Sequence, residues 1–170
     1  MTSVLAIDTA GPVVGACVLS PAGEMKWSER VGRGADTALI PAIGDLLLAV
    51  ENLDLVAVTV GPGAFTGLRV GVSAALGIAV SRNIPVVCVS SLEARAALVQ
   101  SASVLAILDA RKSRVYAQWF DCSDVLPIPK GEAMDVSLEE AFPGQPFVAV
   151  GEGALLSPEL ISAAGGSVQE

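Results

Sequence analysis

The most informative absence from this 170-residue sequence is histidine, of which there is none. Without an imidazole, a serine or cysteine nucleophile lacks its usual base, and zinc lacks its commonest nitrogen ligand. Asp36 and Asp45 are the carboxylates of a predicted first helix, but a spacing of nine puts them on opposite sides of it. We therefore expect no metal bound by this chain and no catalytic residue in it, although a lysine or carboxylate base is not excluded.

Basic residues and cysteines are also few. Ten Lys and Arg against 18 Asp and Glu give a net charge of -8, which disfavours direct binding of nucleic acid. The densest basic run, at residues 111–114, is too short for a nucleic-acid footprint and predicts a solvated turn. The three cysteines are odd in number and widely spaced, which is typical of reduced, mostly buried thiols.

Long uninterrupted apolar runs are missing, although 52% of the residues are apolar and the mean hydropathy is +0.63. The best membrane candidate, residues 61–80, starts with Gly-Pro-Gly and contains Arg69, so it does not read as a membrane span. No basic segment precedes the first apolar run, so we expect no signal peptide and a cytoplasmic protein. The excess of apolar residues favours a surface that meets a protein partner.

The apolar patterns that are present predict alternating strands and helices. Three strands separated by turns predict an antiparallel meander, and a helix over 36–50 follows it. A βαβ crossover is then predicted from a strand over 55–60, a helix over 67–81 and a strand over 86–89. A helix over 90–100 completes a first lobe, residues 1–100. A hairpin over 104–120, a strand over 147–150 and a helix over 155–164 form a second, smaller lobe, residues 101–170.

The most specific stretch is the turn ahead of the second helix. Its backbone can bend sharply and approach another group closely, because it contains Gly61, Pro62, Gly63 and Gly67. A Walker loop would place Lys and Ser or Thr after the last glycine, where Leu68 and Arg69 stand, and a dinucleotide loop would have one residue fewer between its last two glycines. The sequence therefore disfavours a phosphate cradle here.

Four motifs, in this order, resemble the TsaB family, also called YeaZ. They are LAIDTA at residues 5–10, GPGAFTGLR at 61–69 followed by Gly71, VSSL at 89–92, and DAR at 109–111 followed by Val115 and Tyr116. A weaker echo, VGEG, lies at residues 150–153. The order of predicted elements is that of the actin-like, Hsp70-like (ASKHA) class. We expect this α/β fold, a mixed sheet with helices, and a shortened second lobe, because family members usually continue beyond a point such as residue 170.

The resemblance implies an accessory subunit of the bacterial machinery that makes threonylcarbamoyladenosine at adenosine 37 of tRNA. The chain would be a non-catalytic scaffold that binds and activates the catalytic paralogue TsaD, with the ATPase TsaE as a further subunit. It would hold no cofactor alone, because ATP or ADP and metal belong to the partner subunits. It would meet tRNA only through the complex, form a homodimer when alone, and contact no membrane.

Small residues on the second helix predict where the partner binds. Their spacing of three and four gives a face nearly free of side chains, which another helix can approach closely. Packing on the chain's own sheet or first helix is the alternative. In the TsaB family the first two helices pair with those of TsaD or of a second copy. This resemblance favours an interface of Leu39, Ile43, Leu47, Gly67, Gly71, Ala74, Ala75 and Ile78.

Two further sets of residues leave alternatives open. The family motif loop contains Gly61, Pro62, Gly63, Thr66 and Arg69. The arginine could donate to carbonyls of its own loop or reach a partner. Asp8 and Asp109 each follow an apolar strand, where a vestigial nucleotide cleft would place carboxylates. A structural role in a turn is favoured for both, since the phosphate-loop lysine is missing.

Two other classes of function compete with the scaffold. The chain could be an enzyme in its own right, either a glycoprotease-like metallopeptidase or an ATP-binding transferase, although the missing histidine and phosphate loop argue against both. It could also be a homodimeric structural protein, which recovery of partners from a lysate would distinguish.

The absence of histidine generates the first prediction. The isolated protein should carry no stoichiometric zinc or iron and should hydrolyse neither peptides nor ATP, as elemental analysis and turnover assays can measure. A metal bound at about one per chain, and lost together with an activity in Asp36→Ala or Asp45→Ala, would contradict the scaffold.

Overall fold

The computed structural model describes residues 2–32, 34–142 and 144–169, which form two compact units, Met1–Val89 and Ser90–Glu170. The first unit begins with a meander of three strands and continues with two long helices and two further strands. Its elements are β1 (Val4–Asp8), β2 (Val13–Ser20), β3 (Gly23–Arg30), α1 (Ala35–Leu48), β4 (Leu55–Gly61), α2 (Phe65–Arg82) and β5 (Val86–Ser90).

The five strands form one mixed sheet in the order β3-β2-β1-β4-β5. The meander is antiparallel, β1 and β4 are parallel, and β4 is joined to its neighbour β5 through α2. In register, Leu5 lies opposite Val18 and Val56, so one face of the sheet carries a continuous apolar row. Both helices pack on that row, because Leu39 of α1 and Ala75 of α2 belong to the same buried cluster.

The small-residue face of α2 is the tightest contact in this unit. A Cβ placed on Gly67 would overlap the carbonyl oxygen of Thr9, and one placed on Gly71 would overlap the Thr9 hydroxyl. Gly71 is itself buried. At these two glycines the face therefore packs on the chain's own β1–β2 turn. The contact is internal, like the alternative of packing on the chain's own sheet or first helix, although the turn was not named in it.

The described residues of the second unit form six strands, and two apolar clusters pack against them. Its elements are α3 (Ser91–Ala96), β6 (Val104–Arg111), β7 (Arg114–Asp121), β8 (Ile128–Pro129), β9 (Met134–Val136), β10 (Phe147–Val150), α4 (Pro158–Ala163) and β11 (Gly166–Gln169), with short 3-10 turns at Glu139–Ala141 and Ala154–Leu156. The sheet order is β11-β10-β6-β7-β8, and β9 pairs with β7.

Strand β6 is the centre of this unit because both its faces are covered. Val104, Ala106 and Leu108 pack with α3, whereas Leu105 and Ile107 pack in the cluster that contains Ile161 of α4. An unbroken apolar run is what such a strand requires.

The boundary between the units lies earlier than residues 100 and 101, where the sequence placed it. Helix α3 packs on β6 and β7, so it belongs to the second unit. It also ends at Ala96, short of the predicted residue 100. Within the described parts of the chain, no helix is both long and apolar enough to cross a bilayer.

The contact between α2 and Thr9 generates the second prediction. Gly71→Ala should lower the free energy of unfolding by about 1–3 kcal/mol, because its Cβ has no room beside a buried side chain. Urea denaturation measures this, and Thr9→Ala in the same chain should recover part of the loss because it removes the overlapping atoms.

Gly77→Ala is the matched control in the same helix. Gly77 is exposed, and a Cβ added there would have no heavy atom within 4 Å, so this change should stabilise the protein by about 1 kcal/mol. Equal effects of the two substitutions would contradict the assignment of Gly71 to the core.

Candidate protein-binding site

The motif loop that leads into α2 is closed against the turn between β1 and β2. The Ala64 amide donates to the Ala10 carbonyl oxygen over 2.7 Å. Gly63 has a φ of +156°, and a Cβ there would lie 2.5 Å from the same oxygen. The glycines are therefore required for contact between two segments of backbone. The side of Gly63 where a Cβ would stand faces the chain's own backbone, so the geometry gives no support to a phosphate cradle.

Asp8, at the end of β1, is held in a local turn. One of its carboxylate oxygens accepts hydrogen bonds from the Ala10 amide over 3.1 Å and from the Thr59 hydroxyl over 2.7 Å. These bonds join the β1–β2 turn to β4, beside the motif loop. They are the bonds that the turn interpretation requires.

Asp109, in the second unit, has a similar local arrangement. Its carboxylate accepts from the Arg111 amide over 2.7 Å and lies 3.3 Å from the Arg111 guanidinium. Arg111, Lys112 and Ser113 all have positive φ, with values of 68°, 52° and 59°. Asp109 therefore stabilises the reversal between β6 and β7, and the basic run at this hairpin forms the turn that the sequence predicted.

Half of the eight residues expected to form the partner interface are internal. Leu39 and Ala75 are 0% exposed and Ile43 is 3% exposed, and Gly71 is buried on Thr9. The remaining four, which are half-buried, are Leu47, Gly67, Ala74 and Ile78. The prediction is corrected for the four buried residues, because the sheet and the β1–β2 turn cover them. For the half-buried four, of which Ala74 lines the groove described below, it stays a prediction.

The opposite face of α2 is exposed and apolar. Along one side of the helix, at spacings of four, four, three and four, lie Phe65, Arg69, Ser73, Leu76 and Val80, which we call the α2 outer face. Phe65 is 73% exposed and Val80 81% exposed. Isolated exposed apolar residues are ordinary, but several on one helix face indicate a site of protein contact.

Helix α1 continues this surface. Its exposed apolar residues include Ile40 and Leu48, and an open groove of about 480 Å³ lies between α1 and α2. This α1–α2 groove is lined by Asp36, Ile40, Thr66, Arg69, Val70, Ser73 and Ala74. Two mid-helix glycines, Gly44 and Gly77, are exposed with no heavy atom within 4 Å of where a Cβ would stand.

Arg69 stands at the groove with its guanidinium over the Phe65 ring, 5.4 Å from the ring centroid. It makes no hydrogen bond or ion pair with any residue that the structure describes. The first of the two interpretations of Arg69, donation to carbonyls of its own loop, therefore has no bond to support it.

The two carboxylates of α1 face different surroundings. Asp36 lines the α1–α2 groove, whereas Asp45 lines a shallow recess that also contains Met25 and Trp27 of β3. This separation is the one that their spacing predicted. Among residues 2–32, 34–142 and 144–169, no three metal-ligating side chains come together.

The fold is similar to a solved structure described as YeaZ from Pseudomonas aeruginosa. The TM-score is 0.83 with 25% sequence identity, over 93% of this chain and 79% of the other. The chain has two α/β units, and the first begins with a β-meander that is followed by a helix, a strand and a second helix. Together with this similarity, that arrangement defines a protein of the actin-like class.

The sequence comparisons specify the family. A family model described as "TsaD: tRNA N6-adenosine threonylcarbamoyltransferase" matches residues 31–149. The proteins named tRNA threonylcarbamoyladenosine biosynthesis protein TsaB in Haemophilus influenzae and Bacillus subtilis are each 33% identical to this chain over 67% of its length. The chain belongs to this family and, with these relatives, to its TsaB/YeaZ members. It spans about half of their length, 52% and 53%.

The hydrogen bonds of Asp8 generate the third prediction. Asp8→Ala leaves the Ala10 amide and the Thr59 hydroxyl without their acceptor, so we expect a loss of about 1–3 kcal/mol in the free energy of unfolding, measured by urea denaturation. Asp124→Ala is the control, since that exposed carboxylate makes no ion pair or side-chain hydrogen bond with the described residues. Unchanged stability combined with a lost affinity for nucleotide would favour the vestigial cleft.

Proposed function

We propose that this chain is a non-catalytic subunit in the biosynthesis of threonylcarbamoyladenosine in tRNA, and that it binds the catalytic subunit TsaD through the α2 outer face and the α1–α2 groove. The names of its relatives support the pathway. The observation that carries the binding role is the exposed apolar face of α2, on the side away from the chain's own core.

The energetics of this face favour burial by a partner. Phe65 and Val80 are more than two thirds exposed, and Leu76 is half exposed. Burying such side chains stabilises a complex by about 25 cal/mol for each Å² of apolar surface removed from water. Large aromatic side chains are also frequent centres of binding energy. Phe65, which Arg69 holds by its stacked guanidinium, is the natural anchor of the surface.

The exposed glycines support a helical partner. A glycine in a helix interior costs about 1 kcal/mol relative to alanine, and neither Gly44 nor Gly77 has a close contact within the chain that requires it. Without side chains at these positions, another helix can approach the backbones of α1 and α2 closely. The small residues that matter for binding are thus on the outer side of the helices, opposite the face selected from the sequence.

The catalytic work would be done by the partners. This chain has no histidine, and the carboxylates of Asp8 and Asp109 accept hydrogen bonds within their own turns. ATP or ADP and any metal would then be held by TsaD and the ATPase TsaE, and tRNA would be met only within the complex. When TsaD is absent, the same apolar face would be covered by a second copy of the chain, giving a homodimer.

Substitutions on the outer face generate the fourth prediction. Phe65→Asp and Leu76→Asp should each weaken binding to TsaD from the same organism at least about tenfold, because a charge replaces a side chain buried in the complex. Isothermal titration measures the affinity, and reconstituted tRNA modification should fall with it at limiting concentrations.

Val125→Asp is the matched control, because Val125 is 95% exposed but lies in the second unit. It should leave binding unchanged, and all three variants should unfold at the wild-type temperature. Full binding by both outer-face variants would contradict the proposed surface, and modification that proceeds equally well without the chain would contradict the proposed role.

A further inference from the structure

We propose that Arg69 is a specificity-determining residue of the α1–α2 groove and that it binds the carboxylate of an aspartate or glutamate side chain of the partner protein. This inference rests on the proposed function, since it concerns what the partner must present to the same surface. It assigns a chemistry to the occupant of the groove, which the apolar outer face alone does not.

The first observation is that the guanidinium lies over an aromatic ring and its N–H donors are unused. Arg69 lies over the exposed ring of Phe65, and it has no hydrogen-bond or ion-pair partner among the described residues. Stacking occupies the flat face of a guanidinium and leaves its N–H groups free at the edge. A carboxylate can accept two of these N–H groups side by side, in the strongest geometry available to an exposed arginine.

The second observation concerns the residues that line the groove beside Arg69. Thr66 and Ser73 line the same groove three residues before and four residues after it, so their hydroxyls lie on its side of the helix and can also donate to an anion. The chain as a whole carries a net charge of -8, whereas Arg69 places a positive charge at an apolar groove. Charge complementarity therefore points to an acidic group on the occupant.

The third observation favours a carboxylate over a phosphate. Asp36 lines the groove as well, together with the apolar side chains of Ile40 and Val70. A phosphate backbone brings a row of negative charges, so Asp36 and the net charge of the chain repel it more strongly than a single carboxylate, and it would leave the apolar lining exposed. A protein side chain places a single negative charge beside Arg69 while its neighbours cover the apolar residues.

The test compares two arginines of the same helix in the 170-residue chain. Arg69→Gln should weaken binding to TsaD from the same organism by about tenfold to a hundredfold at low salt, the range for a charge-assisted hydrogen bond. The difference from wild type should shrink as salt is raised. Arg82→Gln, at the exposed end of α2, should change neither the affinity nor its salt dependence.

A rescue experiment identifies the acid. Arg69→Glu should abolish binding, and one Asp→Lys or Glu→Lys substitution on TsaD should restore it, since only a direct pair recovers on charge reversal. If Arg69→Gln binds normally while Phe65→Asp does not, the carboxylate inference is wrong and the proposed surface stands. If both bind normally, both are wrong. A loss of affinity seen only when tRNA is present would show that Arg69 binds phosphate, which also overturns the inference.

Discussion

The close contact between α2 and the turn at Thr9 and Ala10 decides which face of α2 is exposed in the first unit. Gly63, Gly67 and Gly71 let the helix and its loop approach the turn to distances that a side chain would prevent. With that face fixed inward, the geometry of the helix leaves Phe65, Leu76 and Val80 on the outside. The internal packing of α2 and its proposed binding surface are therefore two consequences of one constraint, since moving the glycine face outward would bury the other.

Much of the fold follows from local patterns in the sequence. Alternating apolar residues and turn signals give the meander β1–β3, and the unbroken apolar run of β6 fits a strand covered on both faces. Ser90 accepts a hydrogen bond from the Glu93 amide, so it caps α3 at the start of the helix predicted over 90–100. The helix predicted over 155–164 is divided, because Pro158 can only start α4 after the 3-10 turn Ala154–Leu156. Strands β8, β9 and β11 are too short to carry a period.

The proposed binding surface could not be chosen from the sequence because α2 carries apolar residues on both of its sides. Small residues recur every three or four positions on one side, and Phe65, Leu76 and Val80 recur similarly on the other. Periodicity identifies both faces but not which one is inside. The decisive information is a tertiary contact with Thr9, more than fifty residues away in the chain. The turn roles of Asp8 and Asp109 are easier to predict, because each accepts a hydrogen bond from the amide two positions along. The bond from Thr59 to Asp8, 51 residues apart in the chain, carries no such local signal.

The orientation of α2 is tested most directly by thiol labelling in a background in which the three cysteines are replaced by serine. Leu76→Cys and Val80→Cys should react rapidly in the chain diluted until it is monomeric, and slowly with TsaD bound. Ala75→Cys, at a site that is 0% exposed, should be unreactive in both states. Rapid labelling of Ala75→Cys that the partner suppresses, with Leu76→Cys unaffected, would show that the small-residue face is the interface and would contradict this account.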